Sequence, residues 1–483
     1  MLGVLVGRMG ESVVGRAPCR AGESTAVMHW FLFQYERVPP TTWVYLSSLF
    51  TIAVYFKFSR LWSVRNLDLI GLILLAPGLL MVEYGRSMAV AGIEQLGFVW
   101  LFATAALFLI RLLLDPMMVR RPLLEPNMSV GGLTFVGVSL LLFLMANVLT
   151  SSLSEDDLAG SKQVEQITTH REVQVEANLA SHGPGFPPLF WLPHLLTQKI
   201  YGSADAVAGQ LPMVRAAIDR KKVHVATTKT VAVLSHLAII IGMVVIGFQH
   251  FDNIKTGIAV ATLYLLLPYT AQYTAHVDHV LPPALLVWAI VTYRRPMVAG
   301  CFMGLAMGVG YYPAFLLPLW FGFYWQLGLW RFAAGVLLAV AVLTGILAVM
   351  TGFQLEVLLP YLRQMFGLRW PIMADLRGFW QFEGVDPFLR IPILAAFVVL
   401  CISFAIWPAQ KNLGTLISCS AVGMLAAQFW HAYGGGLYVA WYLPLLLMTV
   451  FRPNLEDRVA LSTLGKGWLP RRRAPGHGVE QAA

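Results

Sequence analysis

The sequence predicts an all-α, polytopic transmembrane helical bundle of about thirteen crossings. Three observations lead there. The chain is 58% hydrophobic and only 12% charged, with a mean hydropathy of +0.68, against roughly 45–50% apolar and 25% charged residues in a soluble domain. Apolar runs approaching the roughly 20 residues that cross a bilayer as a helix recur along it. Lys and Arg return at every second connection, as short cytoplasmic loops require.

Residues 1–26 carry Gly and Arg without the sustained apolar core of a secretory signal. Translation is expected to start at Met28, because MHWFLFQYERVPP leads directly into the first span; an intact mass that retains residues 1–27 would refute this. Spans are expected at 42–56, 67–81, 96–114 and 130–149. After a long polar loop they resume at 231–248, 256–273, 280–293, 297–310, 314–325, 332–350, 391–407, 413–429 and 437–451. The basic connections hold Lys57, Arg60 and Arg65, then Arg111, Arg120 and Arg121, then Arg294 and Arg295, then Arg331, then Lys411. A tail with Arg452, Arg458, Lys466 and Arg471 to Arg473 completes the set. The alternation places the N-terminus outside and the C-terminus inside, in a multi-pass protein expected in a bacterial inner (cytoplasmic) membrane. Four polar stretches then converge on the extracytoplasmic face: the loop 150–230, the turn 276–279, the segment 351–390 and the turn 431–436. The net charge of +9 reflects the basic turns and tail, so nucleic acid is not an expected partner. Of the four cysteines, Cys301, Cys401 and Cys419 lie in apolar runs and none has a partner at motif spacing, which argues against a disulfide framework or a zinc site.

The long loop opens on Glu155, Asp156 and Asp157 directly after a span. Ser154 three residues before Asp157 fits a capping box, and acidic residues in a first turn suit the helix dipole. Residues 161–180 carry Val164, Ile167, Val175 and Leu179 at helical spacing amid charges, the pattern of a helix lying along the membrane surface. That helix ends at SHGPG, and Pro187 and Pro188 fix the entry of a second such helix over 190–201. The Gly300, Gly304 and Gly308 series reads as a packing surface, because small residues every four positions let helix backbones approach in lipid.

One crossing, an acidic outer loop, two surface-lying helices, a PPLF entry to the second and a run of further crossings resemble the GT-C superfamily of membrane glycosyltransferases. The stretch AHVDHVLPPALLVWAIVTYRRPMVAGCFMGLAMGVGYYPAFLLPLW and the terminal WYLPLLL are similar to segments of its polyprenol-phosphate-mannose-type members. The resemblance covers 130–452. It implies a GT-C-like core at 130–452 with outer loops 150–230 and 351–390; the rest of the chain reads as a weakly structured N-terminus at 1–40, a three-helix membrane module at 41–129 that departs from the family's usual plan, and a basic cytoplasmic tail at 453–483.

It also implies transfer of a sugar, with inversion, from a polyprenyl-phosphate donor to an acceptor hydroxyl on a glycan, lipid or protein at the extracytoplasmic face. A carboxylate in the first long loop then acts as general base. Asp157 is the preferred candidate, with Asp156 and Glu155 beside it; the helix-cap reading of the same residues stays open. Arg363, Arg369, Arg377 and Arg390 are candidates for the leaving phosphate, with Trp370, Phe379 and Trp380 as a lipid or sugar platform; pairing of these arginines with Asp375, Glu383 and Asp386 is the alternative. His276, Asp278 and His279 form a polar cluster suited to a phosphate or a divalent metal, yet without the spacing of a helical metal motif, so no metal ligand is assigned and polar helix caps explain them equally. His431 and Tyr433 beside Gly434 to Gly436 make an outward turn suited to closing over substrate or simply to reversing the chain. The competing class is a transporter or flippase. Such carriers place charges deep within their crossings, whereas these spans are nearly free of charge, with His236 a rare exception. A non-catalytic membrane protein of the same architecture is the third reading.

Overall fold

The computed structural model describes residues 38–118, 125–168, 183, 185–202, 212–365, 373, 376–408 and 411–453, without the side chains of 168, 200–202, 212–219, 357, 361 and 363–365. The N-terminal stretch before 38, the second half of the helix expected over 161–180, and the tail therefore lie outside the described residues.

Helix α1 (Pro40–Tyr55) starts on a proline, whose missing N–H costs nothing at the first helical position. Ser63 caps α2 (Val64–Ser87) by accepting from the Asn66 amide, and α3 (Ala91–Leu114) returns beside it. Ser129 caps α4 (Val130–Thr150) in the same way. The polar loop contributes α5 (Ala159–Thr168) and α6 (Phe186–Gly202) before the long α7 (Pro212–Gln249). The run expected over 256–273 is two helices, α8 (Ile254–Leu266) and α9 (Pro268–Gln272), because Pro268 has no amide to continue the ladder. Then follow α10 (Val277–Val291), α11 (Pro296–Val309), α12 (Leu317–Tyr324), α13 (Leu329–Met350) and α14 (Leu355–Met365). The last helices are α15 (Arg390–Ser403), α16 (Leu413–Ala426), opened by an Asn412/Thr415 capping box, and α17 (Leu443–Phe451). Two short strands, β1 (Arg377–Gly378) and β2 (Tyr433–Gly435), pair in parallel.

Among the described residues, five helices are long and apolar enough to cross a membrane: Val64–Ser87, Ala91–Met117, Val130–Thr150, Arg220–Gln249 and Leu329–Met350. Ile254–Leu266, Val277–Val291, Pro296–Val309, Pro387–Ser403 and Leu413–Phe429 are shorter apolar helices. The run expected over 437–451 yields only the nine-residue α17, because a 3₁₀ turn at Val439–Trp441 occupies its start.

Small residues set the closest helix pair. A Cβ on Gly300 of α11 would lie 2.2 Å from the Phe332 carbonyl, and one on Gly335 of α13 would lie 2.0 Å from that of Met297. Gly304 meets Val336 and Ala339, and Gly308 meets Leu343, so the glycine series is one face of this pair. The end of α11 also receives the long loop: the Gly183 amide donates to the Val309 carbonyl at 2.7 Å and the Gly185 amide to that of Gly308 at 2.8 Å. Gly300→Ala is expected to destabilise the protein by about 1–3 kcal/mol, because the neighbour it strikes is backbone and cannot rotate away. A thermal midpoint in detergent equal to that of the wild type would contradict this.

At the opposite end of α2 and α3, charges that the sequence scatters are brought together. Arg111 grips Asp68 with Nε at 2.9 Å and Nη2 at 3.0 Å, and reaches Asp115 at 3.2 Å. Arg452, from just past α17, also bonds Asp115. His236 in α7 is a satisfied core histidine, held by the Thr274 carbonyl at 2.9 Å and the Tyr264 hydroxyl at 3.1 Å.

Candidate functional site

The residues between α4 and α5 form a turn around Asp157. Its Oδ2 accepts from the Ser154 amide at 2.8 Å and the Ser154 hydroxyl at 2.7 Å, and the Asp157 amide donates back to the hydroxyl at 3.3 Å. This is the reciprocal bonding of a capping box. The other oxygen, Oδ1, accepts from Nδ1 of His276 at 2.7 Å. The cap and the polar turn between α9 and α10 are thus joined through one carboxylate. The Asp157 side chain is 9% exposed and that of His276 is 35% exposed. Burial acts to raise the Asp157 carboxyl, but the hydrogen bond and charge of His276, with the Ser154 bonds, outweigh it and hold the group below its ordinary value. It is a carboxylate at neutral pH.

The neighbouring acids face outward. Asp156 meets Arg377 at 3.3 Å, both well exposed. Glu155 pairs with Lys162 and, at 3.9 Å, with Lys221; the Lys162 bond is the main cause holding its carboxyl down. Arg377 also anchors β1: its amide donates to the Ala432 carbonyl at 2.9 Å, beside the turn that carries His431 and Tyr433. Gly434 and Gly436 of that turn have φ of 73° and 93°, conformations that favour glycine.

His431 does not open outward as an outer turn would allow. It is 2% exposed, its Nδ1 accepts from the Tyr433 amide at 3.0 Å, and its ring packs on Tyr438 at 4.7 Å and Tyr312 at 5.0 Å. Burial, and then Arg390, push its imidazole down to about 3. It is a neutral packing residue at physiological pH. Tyr438 continues the stack to His279 at 4.4 Å, and Tyr273 lies on the other side of His279 at 4.9 Å. The Trp441 indole donates to the Asp278 carbonyl at 2.9 Å and fixes the turn from behind.

The expectations for the segment 351–390 need correction in part. Arg390 is 2% exposed and gives Nε and Nη2 to the Trp430 carbonyl at 3.0 and 2.9 Å, so it braces a turn rather than facing a phosphate. Phe379 packs against Phe102 of α3 at 4.7 Å and Trp380 is 3% exposed, so neither forms an open platform. Arg363 sits on α14, whose side chain there is not described, and Arg369, Trp370 and Asp375 lie outside the described residues.

Comparison with family models, with curated proteins and with solved structures finds no match. The site is therefore defined by its own geometry: Asp157, His276, Asp278 and His279 at the centre, with Asp156 and Arg377 at the rim.

Two features of this region escape sequence reasoning. Arg86, near the end of α2, bonds Glu94 at 2.9 Å and lies near enough to Tyr438 to act on its hydroxyl together with Arg377. Nothing in the local sequence links residue 86 to residue 438. The second feature clasps α5, α6 and α7. Ser161 Oγ lies 2.7 Å from Nδ1 of His224 and 3.3 Å from Nδ1 of His194, and His224 Nε2 lies 2.8 Å from Glu165. Arg220 also reaches Glu165, at 3.7 Å. Burial, with the positive charge that His224 would carry, lowers the His194 imidazole below its ordinary value, and Glu165 opposes this only in part. The released state therefore binds the proton first. Docking of α6 is expected to be fully stable above about pH 6.5 and to weaken as pH falls below it. Amide exchange in α5 and α6 checks this; rates that do not quicken between pH 7 and 5, after correction for intrinsic exchange, would refute it.

Proposed function

We propose that the protein is a membrane glycosyltransferase that moves a sugar from a polyprenyl-phosphate donor to an acceptor hydroxyl at the extracytoplasmic face. The acceptor oxygen attacks the anomeric carbon from the side opposite the phosphate, the glycosyl–oxygen bond to phosphate breaks, and the configuration inverts. Asp157 takes the acceptor proton as that bond forms, and the polyprenyl phosphate departs with the electron pair.

The observation that carries this reading is the setting of Asp157. A base must be ionised, held in place and shielded enough for its charge to act. Asp157 is ionised, nine-tenths buried and held by Ser154 on one oxygen and His276 on the other. Each carboxylate oxygen has two acceptor sites, so the bond from His276 leaves Oδ1 the capacity to receive a proton. Arg377 stands at the rim, where a phosphate dianion would be met by a planar donor. Its carboxylate partner, Asp156, is exchangeable because an exposed pair of this kind is worth little.

The test is transfer by the purified protein in lipid nanodiscs from a panel of polyprenyl-phosphate sugars to short glycan and lipid acceptors. Product that depends on both the donor and the protein supports the reading. Absence of product from every lipid-linked hexose and pentose would overturn it.

A further inference from the structure

We propose that the turn at the start of α10 binds one divalent transition-metal ion of the zinc class through His276, Asp278 and His279. The ligand atoms these three side chains offer lie within 4.8 Å of one another, and among the described residues they are the one group with that property. Two imidazoles and a carboxylate suit zinc-class ions, whereas magnesium and calcium favour all-oxygen sets.

The more ordinary explanation, that these are polar helix caps, fails on the geometry. His276 is the N-cap residue of α10, yet its side chain makes no capping bond. Instead each imidazole is oriented by a residue from another part of the chain. Asp157 accepts from Nδ1 of His276 at 2.7 Å, and the Tyr269 hydroxyl is hydrogen-bonded to Nδ1 of His279. With Nδ1 of each ring engaged by an outer partner, Nε2 is the nitrogen left to coordinate, the arrangement in which metal-binding histidines are held. In agreement, Nε2 of His279 already lies 3.9 Å from the Asp278 carboxylate. The His279 ring is further fixed between Tyr273 and Tyr438, within 11° and 20° of parallel.

A tetrahedral ion with bonds of about 2.0–2.1 Å draws its ligand atoms to about 3.3 Å apart. The contraction falls on His276 and Asp278, whose side chains are 35% and 27% exposed, rather than on His279, which is clamped between two rings. Three protein ligands leave a fourth position for water or an anionic oxygen, the arrangement of reactive rather than structural zinc sites. This assignment does not rest on sugar transfer.

The experiment uses the full-length protein in detergent with any affinity tag removed, stripped with chelator and titrated with zinc chloride alone. Bound metal is then measured by elemental analysis after gel filtration. One zinc per chain is expected for the wild type and less than a tenth of that for His276→Ala/His279→Ala. Asp157→Asn is expected to weaken zinc binding by about 10–100-fold, the usual effect of removing an outer partner. His194→Ala, at the separate α5–α7 cluster, is expected to bind as the wild type does. Cobalt in place of zinc is expected to give the strong visible absorption of a tetrahedral ion in the wild type, a readout that stands if the variants fail to fold. Zinc retained equally by the double variant, no zinc above background, or the weak cobalt spectrum of an octahedral ion would each overturn the proposal. Zinc bound without any sugar transfer removes the transfer reading and keeps the metal site; transfer by a protein that takes up no zinc on titration does the reverse.

Discussion

Asp157→Asn is expected to lower sugar transfer by about 10²–10⁴-fold, the range associated with loss of a positioned general base. The substitution is chosen because asparagine keeps the shape and keeps a carbonyl oxygen able to accept from the Ser154 amide and hydroxyl, which Asp157 Oδ2 accepts at 2.8 and 2.7 Å. The reciprocal bonds with Ser154 are kept, so the turn into α5 survives and the change isolates the charge. The partner His276 loses its anion and is left beside a neutral amide. Because the outer partner of the proposed metal site is altered too, the assay is run at saturating zinc. Asp156→Asn provides the comparison: its pair with Arg377 is well exposed on both sides, and a less than tenfold change is expected. Single-turnover transfer with a labelled donor measures both variants. Equal rates for wild type and Asp157→Asn would remove Asp157 from the chemistry, and a larger loss in Asp156→Asn would move the base by one residue.

Much of this was legible in the residues. Hydropathy marked the long helices because a lipid-facing helix has one requirement, an apolar surface about 20 residues long, that each segment meets by itself. Ser154 and Asp157 announced the cap because its partners are three residues apart, and the Gly300, Gly304 and Gly308 face announced close packing for the same local reason. The link between Asp157 and His276 spans more than a hundred residues and is set by how α4, α9 and α10 end together; the sequence indicated only that both segments face one side. The aromatic column of Tyr273, His279, Tyr438 and His431 was invisible, since tyrosines in apolar runs read as ordinary membrane-helix residues. Reading Phe379 and Trp380 as an open platform failed because side-chain type does not say which face an irregular segment turns inward: Phe102 of α3 takes Phe379, and Trp380 is buried. Arg111 and Arg452 looked like independent markers of cytoplasmic turns, and only the fold makes them share one aspartate.

That shared aspartate gives the largest stability effect expected in the molecule. Asp115 is fully buried and is bonded by both Arg111 and Arg452, while Arg111 is also held by Asp68. The four groups balance to zero charge, and they tie α2 and α3 to the residue that follows α17. Burying an ion pair is close to neutral overall, but removing one partner strands the other without water or counter-charge, at a cost of about 3–5 kcal/mol. Asp115→Ala is therefore expected to lower the stability in detergent by that amount. Room for Arg452 is also specific: a Cβ on Gly414 would lie 1.7 Å from its Nη1, so the guanidinium occupies the place of a side chain on α16. Arg452→Met made together with Asp115→Leu removes both charges and fills the space with apolar volume, and is expected to recover most of the loss. A double-mutant cycle on thermal or denaturant unfolding reads the coupling directly. Single variants that each lose less than about 0.5 kcal/mol would show that lipid headgroups or water already satisfy Arg452, and that the C-terminal end of the bundle is not held by this aspartate.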